Sequence, residues 1–269
     1  MGLFPPAVPA GHIPEKAMLL KFLKRATPVR SAPVIPTGQR VYAIGDVHGR
    51  LDLLDRLLDT IEADDAGRSA AQTTYIFLGD LVDRGPDSAG VVERIRHLAL
   101  AKSDVRLLSG NHEEIFLGAI GGDDKALRLF CRIGGRETAI SYGIAAADYD
   151  VMDYAELAAA LQRVVPEDHR LFLAAAADIE VIGGYAFVHA GVHPDRPLSE
   201  QRPSDLRWIR NPFLDHRNPL EKMIVHGHTV SPAIEFRPHR IGVDTGAYQS
   251  GRLSALGLEG DRSWHCDTL

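Results

Sequence analysis

The chain has 269 residues, 45% of them hydrophobic and 25% charged, with a formal net charge of −6 at pH 7. That length can bury a large core as one α/β domain or two small ones, and the acidic balance argues against a nucleic-acid polymer as the main ligand. Two cysteines, Cys131 and Cys266, are too few for a disulfide framework or a cysteine-rich zinc site, which points to a reducing, cytoplasmic setting, and no apolar run is long enough to span a bilayer.

Residues 1–37 are Pro-rich (Pro5, Pro6, Pro9, Pro14, Pro28, Pro33 and Pro36) and read as a loosely ordered arm ahead of a body at 38–269. The apolar piece Met18-Leu19-Leu20 has Lys21 and Lys24 beside it and does not read as a signal peptide; Lys16–Arg25 patterns as a short basic amphipathic helix that docks on the body or hangs free. From residue 40, short β-branched runs alternate with helical patterns. Strand 41–44 precedes helix 50–63, strand 75–78 precedes helix 88–101, and strand 105–108 leads into helix 112–120. This alternation predicts an α/β domain. Residues 123–176, with Ala-rich stretches, read as several helices. Strands return at 178–182, 185–189, 222–226, 233–237, 240–243 and 252–258, with few helices between them, so this half is expected to be more antiparallel.

Five of these strands end in a potential metal ligand. They run into Gly45-Asp46-Val47-His48-Gly49, Gly79-Asp80-Leu81-Val82-Asp83-Arg84-Gly85, Gly110-Asn111-His112-Glu113, His189-Ala190-Gly191 and His226-Gly227-His228-Thr229. Ligands of α/β sheets bind off the carboxyl ends of strands, and neighbouring glycines let the backbone turn sharply there. Each piece alone has a plainer reading: Asp46 or Asp80 as a helix cap, His189 as a core histidine, His226 and His228 as neighbours on one sheet face. Five together, each after a strand, favour a site. A cysteine nucleophile is excluded by spacing, because Arg136 follows Cys131 after four intervening residues rather than five and Cys266 is near the end.

The first three blocks resemble the signature blocks of the phosphoprotein phosphatase family within the calcineurin-like metallophosphoesterases, and the His189 and His228 blocks resemble its two later ligand blocks. The segments Gly134-Gly135-Arg136-Glu137-Thr138, Ser141-Tyr142-Gly143, Trp208-Ile209-Arg210 and Val243-Asp244-Thr245-Gly246 look like the bacterial serine/threonine branch. The resemblance implies an α/β fold, a two-sheet β-sandwich flanked by helices, with a helical segment near 113–176. It implies that Asp46 and His48 hold a first metal, that Asp80 bridges, and that Asn111, His189 and His228 complete a second. Manganese is the expected pair, with iron or zinc as alternatives, since the donors are all nitrogen and oxygen. It casts His112 as general acid, Asp83 as its orienting carboxylate, and Arg84 and Arg210 as phosphate-binding groups, although Arg207 makes the assignment of Arg210 ambiguous. His226 is expected to be structural and Glu113 to buttress the loop.

The implied reaction is phosphomonoester hydrolysis by direct attack of a hydroxide shared by two metals. The expected substrate is a phosphoserine or phosphothreonine protein, with dual specificity included. The alternative is a diadenosine tetraphosphate-type nucleotide. Asp83 favours the first, because nucleotide-cleaving bacterial relatives often lose that residue. A non-catalytic scaffold is disfavoured by the intact ligand set. No membrane span and no obligate regulatory subunit are expected.

Overall fold

The central strand of the first sheet ends in a continuous apolar run, Val41–Ile44, because both of its faces are covered there. Val41 and Ala43 of β1 (Gln39–Ile44) face one hydrophobic layer while Tyr42 and Ile44 face another. Fully buried strands of this kind lose the simple alternation of a half-exposed strand. A computed structural model describes residues 1–2 and 32–269; most of the expected arm, including the helix at 16–25, lies outside the described residues.

Ala32–Leu269 forms one compact unit built on two five-stranded sheets. The first sheet has the order β10-β9-β1-β2-β3, with β2 at Gln72–Phe77, β3 at Val105–Leu107, β9 at Ser254–Glu259 and β10 at Arg262–Asp267. The second has the order β4-β5-β6-β8-β7, with β4 at Ile179–Ile182, β5 at Tyr185–Val188, β6 at Met223–His226, β7 at Glu235–Phe236 and β8 at Arg240–Gly242. Their inner faces meet in a layer that includes Val41, Ile76, Leu78, Phe187, Val225, Ile241 and Leu256. The outer face of the first sheet packs on α1 (Leu51–Ala66), α2 (Ser88–Ala101) and α3 (Asn111–Ile120), with α4 to α8 (Asp124–Ala174) completing the helical layer. The outer face of the second is covered by Leu206 and Ile209, near α9 (Pro203–Trp208), and by Phe213. This is the expected sandwich flanked by helices.

Local signals explain the boundaries. Helix α2 spans the expected 88–101 because the Asp87 side chain accepts a hydrogen bond from Gly90 N at its start. Near the start of the unit, Ile35 is buried and donates its N–H to Gly260 O, while Val34 O accepts from Gly184 N.

The half after residue 178 is more antiparallel, as expected, because β4–β5, β7–β8, β1–β9 and β9–β10 all pair antiparallel, but β5, β6 and β8 run parallel in the middle of the second sheet. The connection over residues 189–222 is long enough to return to the starting edge, which a parallel pair requires. Strand β10, absent from the sequence reading, pairs antiparallel with β9 through a turn at Gly260, whose φ is +57°. It is an edge strand exposed at several positions, so its sequence, Arg262-Ser-Trp-His-Cys-Asp, lacks an apolar run.

The topology has one consequence for chemistry. β1, β2 and β3 are parallel, as are β5, β6 and β8, so each sheet delivers three carboxyl ends at one edge. The sixth, β8, runs into Val243-Asp244, a residue with no role in the sequence reading.

Candidate active site

Among the described residues, five that are not glycine have positive φ: His48, Asp80, Asp83, Arg84 and His228. All five are in the strand-end blocks. Such backbone costs free energy and persists where surrounding structure imposes it, most often at functional sites. Glu113 does part of the imposing. Its buried carboxylate accepts from Asp80 N (2.7 Å), Leu81 N (2.7 Å) and Gly110 N (2.9 Å), which pins the β2 loop to the start of α3.

The strand ends bring together two side-chain triads that share Asp80. One is His48, Asp80 and His112; the other is Asp80, His189 and His228, with ligand atoms in each within 4.8 Å of one another. Asp80 Oδ2 lies 3.5 Å from His48 Nε2, and Asp80 Oδ1 lies 3.4 Å from His189 Nε2. Asn111 Oδ1 joins the second triad at 3.0 Å from His189 Nε2. Asp46 reaches the same centre from β1, and its oxygens accept from His228 N at 3.1 and 3.0 Å.

Hydrogen bonds behind the imidazoles aim their lone pairs. His48 Nδ1 donates to Val82 O, and His189 Nδ1 donates to Leu78 O, each at 2.8 Å, so Nε2 of each faces the centre. Backbone acceptors of this kind fix the tautomer of a metal-ligating histidine. Burial pushes His48 down to about 3, and burial followed by the His189 charge does the same to His228, so both rings are neutral and able to coordinate. Burial opposes a charge on His189, but Asp80 and Asp46 outweigh it and raise the ring to about 10. A divalent cation competes for the same electrons and would displace that proton. Asp46 is raised by burial and then by Asp244, its buried carboxylate neighbour. The donor set, all oxygen and imidazole nitrogen around one shared carboxylate, fits two divalent cations.

Gly227 keeps the Asp46 carboxylate in place, because a Cβ there would collide with Asp46 Oδ1. Gly227→Ala should therefore leave a folded protein whose metal affinity falls by about 10–100-fold, the usual cost of disturbing a ligand's support. Calorimetric titration with manganese measures this, and an unchanged affinity would show that Asp46 does not need its present position.

Beside the triads lies a second set of groups. His112 Nδ1 is 2.6 Å from Asp83 Oδ2. Thr138 donates to Asp83 Oδ1 at 2.6 Å, and Ser88 and Thr138 hydroxyls both accept from Asp83 N. Arg84 donates to His48 Nε2 and His112 Nε2, each at 2.9 Å, so its fork lies across the mouth of the shared centre. The structure also separates the two ambiguous arginines. Arg207 is engaged by Asp178 at 2.6 Å and Glu114 at 3.3 Å, whereas Arg210 is exposed and reaches Thr229 beside His228. His226 faces away, its ring 5.2 Å from Phe213 and its Nε2 accepting from Arg240 at 3.2 Å. It shares a face with Ile224, two residues earlier on β6.

Sequence reasoning did not assign Ser88, Asp244 or Tyr248, and it quoted Thr138 only within a block. Asp244 follows a strand, as the candidate ligands do, and that signal could have found it. Ser88 and Thr138 are distant in sequence from the histidine they support and carry no local signal.

The chain matches the family model "Calcineurin-like phosphoesterase" over residues 39–258. It belongs to the calcineurin-like phosphoesterase family. Among curated relatives, the bis(5'-nucleosyl)-tetraphosphatase PrpE [asymmetrical] of Bacillus thuringiensis (strain Al Hakam) is 24% identical over 233 residues, covering 79% of this chain and 88% of that protein. The symmetrical bis(5'-nucleosyl)-tetraphosphatase of Paracidovorax citrulli (strain AAC00-1) is 41% identical over 88 residues, 33% of this chain and 29% of that protein. A crystal structure described as that of a candidate diadenosine tetraphosphatase superposes with a TM-score of 0.59 at 24% identity, covering 89% of this chain and 99% of that one. The cold-active protein-tyrosine phosphatase of a Shewanella species gives 0.52 at 19% identity, with 86% and 80% covered. These similarities establish the fold.

Proposed function

We propose that the protein is a dinuclear-metal phosphoesterase whose substrates are dinucleoside polyphosphates. The observation that carries the chemistry is Asp80, shared by two imidazole-bearing triads at the mouth spanned by Arg84. Asp46 and His48 would hold one ion with Asp80, and Asn111, His189 and His228 would complete the other. Manganese suits this oxygen and nitrogen set, as iron and zinc do. Bound there, two divalent ions would acidify a shared water and neutralise phosphate charge.

The chain's own groups do the rest. Arg84 presents a planar fork to phosphate oxygens, and Arg210 approaches from the His228 side. His112, oriented by Asp83, delivers a proton from Nε2 to the departing oxygen. Arg84→Ala is expected to weaken inhibition by inorganic phosphate about tenfold or more, the loss of charge-assisted hydrogen bonds, with metal content unchanged. An unaltered inhibition constant would reject the clamp.

The substrate assignment departs from the expectation of a phosphoserine or phosphothreonine phosphatase. The asymmetrical tetraphosphatase relative matches 79% of the chain and supports the nucleotide alternative more. One observation favours the protein-phosphatase reading. The Asp83–His112 pair is intact, and a serine alkoxide needs protonation far more than a nucleotide leaving group does. Turnover of metal-stripped, manganese-reconstituted protein on diadenosine tetraphosphate and on phosphoserine and phosphothreonine peptides separates the two. A higher kcat/KM on the dinucleotide is the expected result; a higher value on peptides would replace it with a protein phosphatase.

A further inference from the structure

A cavity of about 670 Å³ opens beside the phosphate-facing groups, and its lining includes Arg84, Tyr248 and, from the α1 entrance, Arg50, Asp52 and Asp55. Its size is in the range that receives a small organic ligand. Tyr248, on the short α10 (Ala247–Ser250), is half-buried, with its ring edge-on to His48 at 5.4 Å and the Arg84 guanidinium 4.7 Å from its centroid. Tyr248 and Arg84 thus form a pre-assembled aromatic and guanidinium surface joined to the reacting end of the site.

The α1 part of the lining is not suited to more phosphate. Asp52 and Asp55, with Asp87 nearby, put three carboxylates in the lining. Arg50 engages both oxygens of Asp52, at 2.8 and 2.7 Å. Asp55 uses Oδ1 for Arg94 at 2.8 Å and has no further side-chain hydrogen bond among the described residues. A polyphosphate tail would meet repulsion here, whereas a neutral group with hydroxyl donors would meet acceptors. A flat π-system for Tyr248 and a diol for a carboxylate are the two halves of a nucleoside, and a carboxylate is a common partner of ribose hydroxyls.

We propose that this cavity is a nucleoside subsite, in which Tyr248 stacks the base and Asp55 accepts from the ribose hydroxyls while Arg84 holds the adjoining phosphate. The inference rests on the phosphoesterase reading of the metal-ligand cluster. The polyphosphate chain of a dinucleotide would leave the centre on the other side, toward Arg210.

The test uses the full-length, manganese-loaded protein hydrolysing p-nitrophenyl phosphate, with inorganic phosphate, adenosine monophosphate and its 2′,3′-dideoxy form as inhibitors. Adenosine monophosphate should inhibit at least about tenfold more tightly than phosphate, the scale of one base stacked on an aromatic ring. Tyr248→Ala should bring that ratio close to one and Tyr248→Phe should preserve it. Asp55→Ala should abolish the preference for the ribose over the dideoxyribose form. Equal inhibition by phosphate and adenosine monophosphate in the unaltered protein would overturn the subsite. So would an equal weakening of both inhibitors by Tyr248→Ala, which would make Tyr248 only a support for Arg84. A Tyr248 dependence seen with a phosphoserine peptide and not with the nucleotide would replace the occupant. If diadenosine tetraphosphate is not hydrolysed but the nucleotide ratio and its Tyr248 dependence hold, the dinucleotide reading fails and the subsite stands.

Discussion

Asp80→Asn is expected to give a folded protein that retains neither metal and hydrolyses phosphate esters at least about 1000-fold more slowly, since several kcal/mol of charge stabilisation depend on the ions. The position admits no substitute. Asp80 Oδ1 faces His189 and accepts from His112 N at 3.1 Å, while Asp80 Oδ2 faces His48. An amide keeps one acceptor oxygen, turns a donor toward the other triad and removes the single negative charge both ions would share. The fold should survive. Burial opposes the Asp80 charge, and His189, His112 and His48 hold its pKa well below the usual carboxylate range. Because those imidazoles outweigh burial, removing the charge costs some of the stability they supply, and the packed layers on either side of the first sheet hold the fold without it. Elemental analysis after dialysis against manganese reads the metal content directly. Thermal unfolding adds an independent measure, because a ligand that binds only the native state raises its stability. The unaltered protein should melt at a lower temperature in chelator than in manganese, and the variant should melt at one temperature in both. Two retained ions with undiminished turnover would refute the bridging role.

His112→Asn is expected to spare metal occupancy and to slow alkyl phosphate esters by about 100–10,000-fold, the range for losing a general acid. p-Nitrophenyl phosphate should lose far less, because nitrophenolate leaves without a proton. The geometry requires this pattern. Asp83 holds Nδ1, so Nε2 is the atom presented to the cleft, 3.8 Å from Asp80 Oδ2. Burial opposes protonation of the ring, but Asp80 and Asp83 outweigh it and raise its pKa above the ordinary value. Asp83 holds the Nδ1 proton, so the proton that His112 can give up is the one Nε2 takes once the Arg84 donor turns from it to a phosphate oxygen. A nucleoside phosphate departs from an anhydride more easily than an alkoxide departs from an ester, so the loss on diadenosine tetraphosphate should resemble that on the nitrophenyl ester. Equal losses on all three substrates would mean that His112 acts on binding or on the metals and not on the leaving group.

Both predictions start from residues that could be named before any coordinates were known. A metal centre at strand ends leaves a local trace: an apolar run, a glycine, then a carboxylate, amide or imidazole. Asp46, Asp80, Asn111, His189 and His228 each follow a strand, and a glycine directly precedes all but His189; at two of these glycines a side chain would collide with a carboxylate, Gly110 against Asp80 and Gly227 against Asp46. Helix α2 was equally legible, since Asp87 caps it locally. Strand β10 was not, because an edge strand owes its existence to the partner β9 and not to its own hydrophobicity.

The sequence by itself determined the class of chemistry, since ligand type and spacing are local properties carried within a few residues of each strand end. Only the tertiary structure decided which groups surround that centre. It joined Thr138 and Ser88 to Asp83 across long separations in the chain, engaged Arg207 in ion pairs while leaving Arg210 beside His228, and ran β5, β6 and β8 parallel so that Asp244 reaches Asp46. It also set Tyr248 against Arg84 over a cavity. These contacts depend on where distant segments pack, and packing is set by the whole core; neither a motif nor a periodicity encodes it in one place.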